Sequence, residues 1–341
     1  MNLRLVLSFI ATSITVGISW VVVYYLSWIP LTETWPLFWN ALTTGGFRSG
    51  DLTLLSISVF FDILILLVTI YGTYWVLGHF AIYTARYEYY RELMRTQKIE
   101  RFTVMQRIQH IIMFLTFVVT AFTGFVRLLS NNPMWKEVSI SGAYSAAGSP
   151  PYFLWIAQTN SLPLTVIIHI LAGITMGVLV ISHFAYYGVM VIMDLVRKRP
   201  LLERWPLLRF YTLGFVKYLI ARSIWLIKPS YKLPEWTYKY DPEQLFEYWG
   251  VYWGIAILGV PGVLMAVWGP AAFNGLLYLM HVKEAVLAVT FLLLVHITYT
   301  HFMPHIFPYN AVFHTGKIPI GIIKEEHPLW YREVVKQLST A

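Results

Sequence analysis

The chain has no cysteine and few charged residues. Of its 341 residues, 12% are charged and 57% are hydrophobic. The lack of cysteine excludes disulfide bonds, thiolate-held iron–sulfur clusters, a cysteine nucleophile and covalently attached c-type haem. The shortage of charge excludes a water-soluble globule, because a soluble fold of this length exposes far more charged side chains. We therefore expect most of the surface to face lipid.

Six apolar stretches are long enough to cross the hydrocarbon core of a bilayer, which takes about 20 helical residues. They predict membrane-spanning helices at 5–29, 54–82, 108–129, 163–196, 246–269 and 276–303. The first span is expected to be retained, because its apolar run is too long for a signal peptide and no small-x-small cleavage site follows it. The predicted fold class is an all-α integral membrane protein with six transmembrane helices.

Basic residues are concentrated in alternate connecting segments. Residues 83–107 and 197–241 carry six and ten Lys/Arg, whereas 31–51 and 130–162 carry one each, and the tail after His305 adds four. The positive-inside rule places the basic segments and both termini in the cytoplasm. The net charge of +8 is thus explained by topology, and it predicts no nucleic-acid partner.

Histidines recur at matching spacings in the fourth and sixth predicted spans. His169 and His183 are 14 residues apart, which is about 21 Å along a helix and about 40° around it. His281 and His296 are 15 residues apart, about 22 Å and about 60°. Both spans run in the same direction, so His169 comes level with His281 near the outer surface, and His183 with His296 near the inner one. The spacing predicts two haem-sized sites, one in each leaflet.

His110, near the inner end of the third span, is a third candidate for the two inner positions. It would pair with His183 or His296, and the remaining histidine would serve a quinone or a haem propionate. Haem iron accepts histidine as an axial ligand, and the dry interior of a helix bundle suits a large apolar macrocycle. The alternative for any single intramembrane histidine is a packing role or a place in a proton pathway.

Small and basic residues lie where a flat, acidic cofactor would need them. Gly124 and Gly173 each remove a side chain from a helix surface, although close helix packing also favours glycine there. Arg127 and Lys283 at the outer end, and Arg107 at the inner end, are candidates to bind haem propionates. Snorkelling to lipid phosphate is the alternative for these basic residues.

Two acids and five further histidines complete the set of ionisable groups. Asp62 and Glu284 lie inside spans and are candidates for proton transfer, although Glu284 would alternatively offset Lys283. Solvated structural positions at span ends or in the tail are expected for His79, His301, His305, His314 and His327.

About two thirds of the chain resembles the membrane cytochrome b family that includes formate dehydrogenase gamma subunits and the cytochrome b subunits of nickel–iron hydrogenases. The resembling stretches are RFTVMQRIQHIIMFLTFVVTAFTGF (101–125), HILAGITMGVLVISH (169–183), EQLFEYWGVYWGIAILGVPGVLMAVWGP (243–270), HVKEAVLAVTFLLLVHITYTHFMPHIFPYN (281–310) and HTGKIPIGIIKEEHPLWY (314–331).

This resemblance implies that the last four spans form a four-helix bundle holding two b haems. His169 and His281 match the outer ligands of the family, and His110 and His296 match the inner ones. His183 departs from the family pattern and is left as an alternative ligand. The predicted organisation is a haem core at 101–310, two N-terminal spans of unassigned role with a basic loop at 1–100, and a cytoplasmic tail at 311–341.

The resemblance also implies a place in a respiratory chain of the prokaryotic inner membrane. The family passes electrons between menaquinone or ubiquinone and a partner redox subunit, here expected to be an outer-face multihaem cytochrome c, iron–sulfur, molybdenum or hydrogenase protein. No catalytic centre for a substrate other than quinone is visible, so the chain is expected to be one subunit of a larger oxidoreductase. The alternative functions are a proton or ion conduit lined by histidine and carboxylate, and a haem-free membrane anchor.

Overall fold

The computed structural model describes residues 2–45, 49–130, 138–139, 142–143, 163–234, 236 and 238–340. These residues are almost entirely helical, and six of their helices are long and apolar enough to span a membrane. The chain is thus an all-α, multi-pass membrane protein, which confirms the predicted fold class. Most of the predicted outer segment 130–162 lies outside the described residues.

The elements follow one another along the chain with short connections. The first half contains α1 (Leu3–Thr44), α2 (Ser49–Ala85), α3 (Tyr87–Leu93), β1 (Lys98–Glu100), α4 (Val104–Ser130) and α5 (Leu164–Val196). The second half contains α6 (Leu213–Ile227), α7 (Pro242–Trp268), α8 (Ala272–His301), β2 (Lys317–Pro319), α9 (Ile320–Glu326) and α10 (Pro328–Thr340). The spanning helices are α1, α2, α4, α5, α7 and α8, and the last five agree with the predicted spans within a few residues.

Helix α1 differs from its prediction, which ended at Ile29. The helix continues to Thr44 through a π-helical turn at Tyr24–Trp28 that immediately precedes Pro30. A π turn is wider than an α turn, so it can carry the chain into a proline that has no N–H to donate. With 42 residues, α1 is about 63 Å long, roughly twice the thickness of the hydrocarbon core.

The spanning helices form two tight hairpins and an N-terminal layer. Helix α4 packs against α5, and α7 packs against α8. Helix α2 lies against α8, with α1 on its other side. The approach of α2 to α8 is close at Gly72, where a Cβ atom would lie 2.9 Å from Cγ2 of Val295. The two N-terminal spans therefore cover one side of α8.

The outward faces of α4 and α5 are apolar and exposed, as lipid contact requires. The side chains of Phe122 and Ile181 are both 70% exposed. A soluble protein rarely exposes a continuous apolar surface of this kind. These faces therefore contact the acyl chains of the membrane.

At the inner end, a small mixed layer ties the tail to the segment after α3. Strand β1 pairs antiparallel with β2, with Ile99 opposite Ile318. An apolar cluster joins residues of α2, α3, α8 and the tail, and it includes Val76, Tyr90, Met303, Ile323 and Trp330. The predicted segments 1–100 and 311–341 thus share a sheet and a core.

Gly316 precedes β2 in a conformation that only glycine adopts easily. Its φ is +72°, and its carbonyl accepts hydrogen bonds from the backbone N–H groups of Arg101 and Phe102. A Cβ atom there would lie only 2.4 Å from the Phe102 carbonyl oxygen. The position therefore combines a left-handed backbone with a contact that leaves no space for a side chain.

We expect Gly316→Ala to lower the free energy of unfolding by more than about 2 kcal/mol. The left-handed backbone costs about 1–2 kcal/mol for a residue with a Cβ atom, and the overlap with Phe102 adds to that cost. Gly45→Ala is the matched control, because Gly45 has a φ of +63° but nothing within 4 Å of its Cβ position. Thermal unfolding in detergent measures both variants, and equal losses would contradict the argument.

Candidate functional site

Two histidines face each other across the outer half of the bundle. His169 on α5 and His281 on α8 have ring centroids 6.1 Å apart, with an angle of 67° between the ring planes. Both side chains are half-buried. The pairing of these two residues agrees with the depth that their spacing predicts.

The hydrogen bonds of this outer pair fix which ring nitrogen carries the proton. Nδ1 of His281 donates to the carbonyl oxygen of Leu258, at 2.8 Å. Nδ1 of His169 lies 3.0 Å from Oγ1 of Thr123. That hydroxyl donates its own proton to the carbonyl of Val119, so it accepts from His169. Both imidazoles therefore hold their proton on Nδ1 and keep the Nε2 lone pair free.

Two glycines make room for these rings. A Cβ atom at Gly124 would lie 3.4 Å from Cε1 of His169, and one at Gly262 would lie 3.4 Å from Cε1 of His281. Gly262 follows Pro261 inside α7, and this proline interrupts the helical hydrogen bonds next to the Leu258 carbonyl. Gly173 has nothing within 4 Å of its Cβ position, so it does not contact the pair.

A second pair lies in the inner half. His110 on α4 and His296 on α8 have ring centroids 6.3 Å apart, with an angle of 52° between the planes. Nδ1 of His296 lies 3.0 Å from Oε2 of Glu247, a carboxylate on α7 that accepts its proton. The ring of His301 is also near, 6.2 Å from that of His296, and its Nδ1 accepts a hydrogen bond from the backbone of Asn310.

His296 lies in an irregular part of α8. The residues Leu292–Ile297 form a π-helical turn, whereas His281 lies in the regular helix before it. Such turns are uncommon and occur frequently at functional sites. One extra residue in a turn rotates all later residues by about 100° relative to a regular helix, so the turn decides which way His296 faces.

His183 forms no such pair, because both of its ring nitrogens have partners. Nδ1 lies 3.2 Å from Oε1 of Gln109 and therefore donates to it. Nε2 lies 2.7 Å from the hydroxyl of Tyr248 and accepts its proton. The lone pair that a metal ion would need is thus already used. Of the three inner candidates, the structure brings together His110 and His296.

The two pairs fit the geometry of axial ligands to one metal ion each. With imidazole–metal bonds of about 2.0–2.1 Å, two imidazoles on opposite sides of one ion have centroids roughly 6 Å apart. The separations of 6.1 and 6.3 Å agree with that value. Metal-binding histidines also donate their second N–H to a carbonyl or carboxylate, as His281 and His296 do here. The donor set therefore suits a haem with two histidine ligands.

The three basic residues expected near propionates lie in different surroundings. Arg127 is exposed on the last turn of α4. Arg107 lies one turn before His110, where it donates to the carbonyl of His314 at 2.5 Å, and its Nε has no partner among the described residues. The expectation for Lys283 was wrong. Its ammonium is fully buried 2.5 Å from Oδ1 of Asp62, so it neither snorkels nor offsets Glu284.

Three of the five other histidines are buried rather than solvated. His79 and His327 are fully buried, and His305 is 7% exposed. His305 lies beyond the end of α8, where burial lowers the pKa of its imidazole to about 3. The expectation of solvated positions was wrong for these three, because the tail and α2 pack over them.

Several functional side chains were not singled out from the sequence. Thr123, Glu247, Gln109 and Tyr248 orient the histidines, but each is an ordinary residue of an apolar helix in the sequence. Glu247 carries the one recognisable signal, since a carboxylate inside a spanning helix is costly without a partner. Its partner lies on another helix, 49 residues away.

Buried ionisable groups also gather at the inner end, outside the spans. Burial raises the pKa of the Glu326 carboxyl to about 7 and raises that of Asp241 well above its ordinary value. Burial also lowers the pKa of the Arg101 guanidinium and of the His327 imidazole. The interior of this layer thus disfavours isolated charges.

The helical fold and the two histidine pairs are the observations from which a function is inferred. No protein-family model matches the chain, and no curated protein matches it.

Proposed function

We propose that the chain is a membrane cytochrome b subunit that transfers electrons through two b haems, between the quinone pool and a partner redox subunit. His169 and His281 would hold the outer haem, and His110 and His296 the inner one. The assignment includes membership of the membrane dihaem cytochrome b family, which the sequence resembles in its last four spans.

One observation carries this proposal. Two pairs of imidazoles face each other at about the separation of axial ligands, and each pair joins two different helices. Three of the four rings have Nδ1 engaged by a hydrogen-bond acceptor. Packing histidines would use both nitrogens, as His183 does.

Each bound haem supplies a one-electron redox centre. The protein sets the distance between the two centres, because His281 and His296 lie on one helix and are about 22 Å apart along it. Two centres at these depths divide a membrane of about 30 Å into short steps. Helices α4, α5, α7 and α8 exclude water from both sites.

Menaquinone or ubiquinone is the proposed redox partner within the membrane. Quinone reduction takes up protons, so its site needs groups that exchange them. His183 and Tyr248 form such a hydrogen-bonded pair beside Gln109, the neighbour of His110. We place the quinone site next to this pair, near the inner haem.

The partner on the outer face is proposed to be a multihaem cytochrome c, iron–sulfur, molybdenum or hydrogenase protein. The location is the prokaryotic inner membrane, with both termini in the cytoplasm. The distribution of Lys/Arg supports that orientation, since the segments 83–107 and 197–241 carry most of the basic residues.

The purified chain is expected to contain two haems b. A reduced-minus-oxidised spectrum identifies the haem type, and a pyridine haemochrome assay divided by protein concentration gives the stoichiometry. One haem per chain would overturn the two-site assignment. A colourless preparation, after expression with adequate haem supply, would overturn the proposal and favour a conduit or a haem-free anchor.

A further inference from the structure

Two carboxylates and an imidazole meet where the tail packs against the start of α7. Asp241 is the residue before α7, and Glu326 and His327 lie at the end of α9. One oxygen of each carboxylate and one nitrogen of the imidazole all lie within 4.8 Å of one another. Carboxylate oxygen and neutral imidazole nitrogen are the usual protein ligands of divalent transition-metal ions.

The imidazole of His327 is oriented as metal-binding histidines are. Its side chain is fully buried, and its Nδ1 donates to the backbone carbonyl of Tyr238 at 2.9 Å. Its Nε2 is buried and has no hydrogen-bond partner among the described residues. A buried nitrogen without a partner is costly, and a bound cation would remove that cost.

Asp241 also has an oxygen to spare. Its side chain caps α7 by accepting a hydrogen bond from the backbone of Gln244, which uses one oxygen. The other, Oδ1, is buried and accepts no hydrogen bond within the described part of the chain. It lies 3.2 Å from Nδ1 of His327.

Basic side chains nearby do not neutralise these two carboxylates. In the described ranges, no Lys or Arg nitrogen lies within 4 Å of a carboxylate oxygen of Asp241 or Glu326. Arg101 bonds instead to the carbonyl of Lys239 and to Gln244, and Arg222 pairs with Glu243. The cluster therefore holds two acids against one imidazole.

We infer that Asp241, Glu326 and His327 bind one divalent transition-metal ion, with Zn²⁺ as its representative. Such an ion would join the tail to the start of α7, which carries Glu247 of the inner histidine pair. The site is separate from both histidine pairs, and it does not depend on whether they hold haem.

The test measures Zn²⁺ binding to the full chain in detergent, without an affinity tag. The protein is stripped with a chelator, and Zn²⁺ is then titrated in competition with a fluorescent chelator. We expect about one tightly bound Zn²⁺ per chain, and the loss of one ligand is expected to weaken binding on the order of 100-fold. Glu326→Gln and His327→Gln each remove one ligand. Asp241→Asn removes the third but preserves the helix cap, because Asn is as good an N-cap as Asp.

Glu325→Gln is the matched control for Glu326→Gln. Glu325 is the neighbouring carboxylate on α9, but it pairs with Arg86 and Tyr89 outside the cluster. We expect it to leave Zn²⁺ binding unchanged. No saturable binding to the wild-type chain would overturn the inference, and so would an equal loss in the Glu325 and Glu326 variants.

Haem is counted in the same samples. A chain that binds Zn²⁺ at this cluster without containing haem would support the metal site while overturning the proposed function. A chain with two haems and no Zn²⁺ binding would do the reverse. Size-exclusion profiles confirm that each variant is folded, and Asp241→Asn tests the site should the buried His327 prove essential for folding.

Discussion

His169→Ala and His281→Ala each lower the haem content of the purified chain from two haems b to one. Each change removes one axial ligand of the outer pair, and a haem held by a single imidazole dissociates during purification. The inner haem remains, because its ligands are about 22 Å away along α8. His110→Ala and His296→Ala leave one haem as well, but they remove the inner one. The pyridine haemochrome assay gives the count, and redox titration shows which of two potentials is lost.

His183→Gln is the control for this series. It changes an intramembrane histidine at the level of the inner pair, but both nitrogens of His183 already have partners. We expect this variant to retain two haems. Adding imidazole to His281→Ala should restore the second haem, since the cavity left by the side chain accepts the free ligand. Loss of a haem from His183→Gln, or two haems in His169→Ala, would contradict the ligand assignment.

The sequence predicts the spanning helices well, because crossing a bilayer demands about 20 consecutive apolar residues. The predicted span 163–196 and the observed Leu164–Val196 differ by one residue. The end of α1 could not be predicted in this way. Pro30 normally marks the end of a helix, and only the π turn before it allows the helix to continue.

The depth of the histidines could be predicted from spacing, but not their pairing in the inner leaflet. Depth depends on the helical rise alone, so His169 and His281 are level in any parallel arrangement. The direction of His296 depends on the π turn, which has no clear signal in the sequence. The exclusion of His183 depends on Gln109 and Tyr248, which come from two other helices.

The role of the two N-terminal spans also became visible only in three dimensions. Asp62 on α2 and Lys283 on α8 are 221 residues apart, yet they form a fully buried ion pair. Ser27 of α1 donates to Asp62 at 3.1 Å and so joins the first helix to the same group. The pair lies two residues after His281. The N-terminal layer thus holds the helix that carries one ligand of each proposed haem.

Breaking this pair from one side is expected to lower the free energy of unfolding by about 3–5 kcal/mol. Asp62→Asn leaves the Lys283 ammonium buried without a counter-charge, and Lys283→Met leaves the Asp62 carboxylate in the same position. A buried charge without a partner has lost its hydration and gained nothing in return. Unfolding in detergent, followed by circular dichroism as denaturant is added, measures both variants.

The double variant Asp62→Asn with Lys283→Met separates loss of the pair from exposure of a single charge. With both charges removed, no group is left uncompensated, so the double variant should be more stable than either single variant. Glu88→Gln is the surface control, because Glu88 pairs with Arg91 at 3.4 Å while 72% exposed, and an exposed pair contributes at most about 1 kcal/mol. If the double variant were the least stable of all, the ion pair itself would stabilise the contact between α2 and α8. If the two single variants were as stable as Glu88→Gln, the two charges would not be buried together within the membrane.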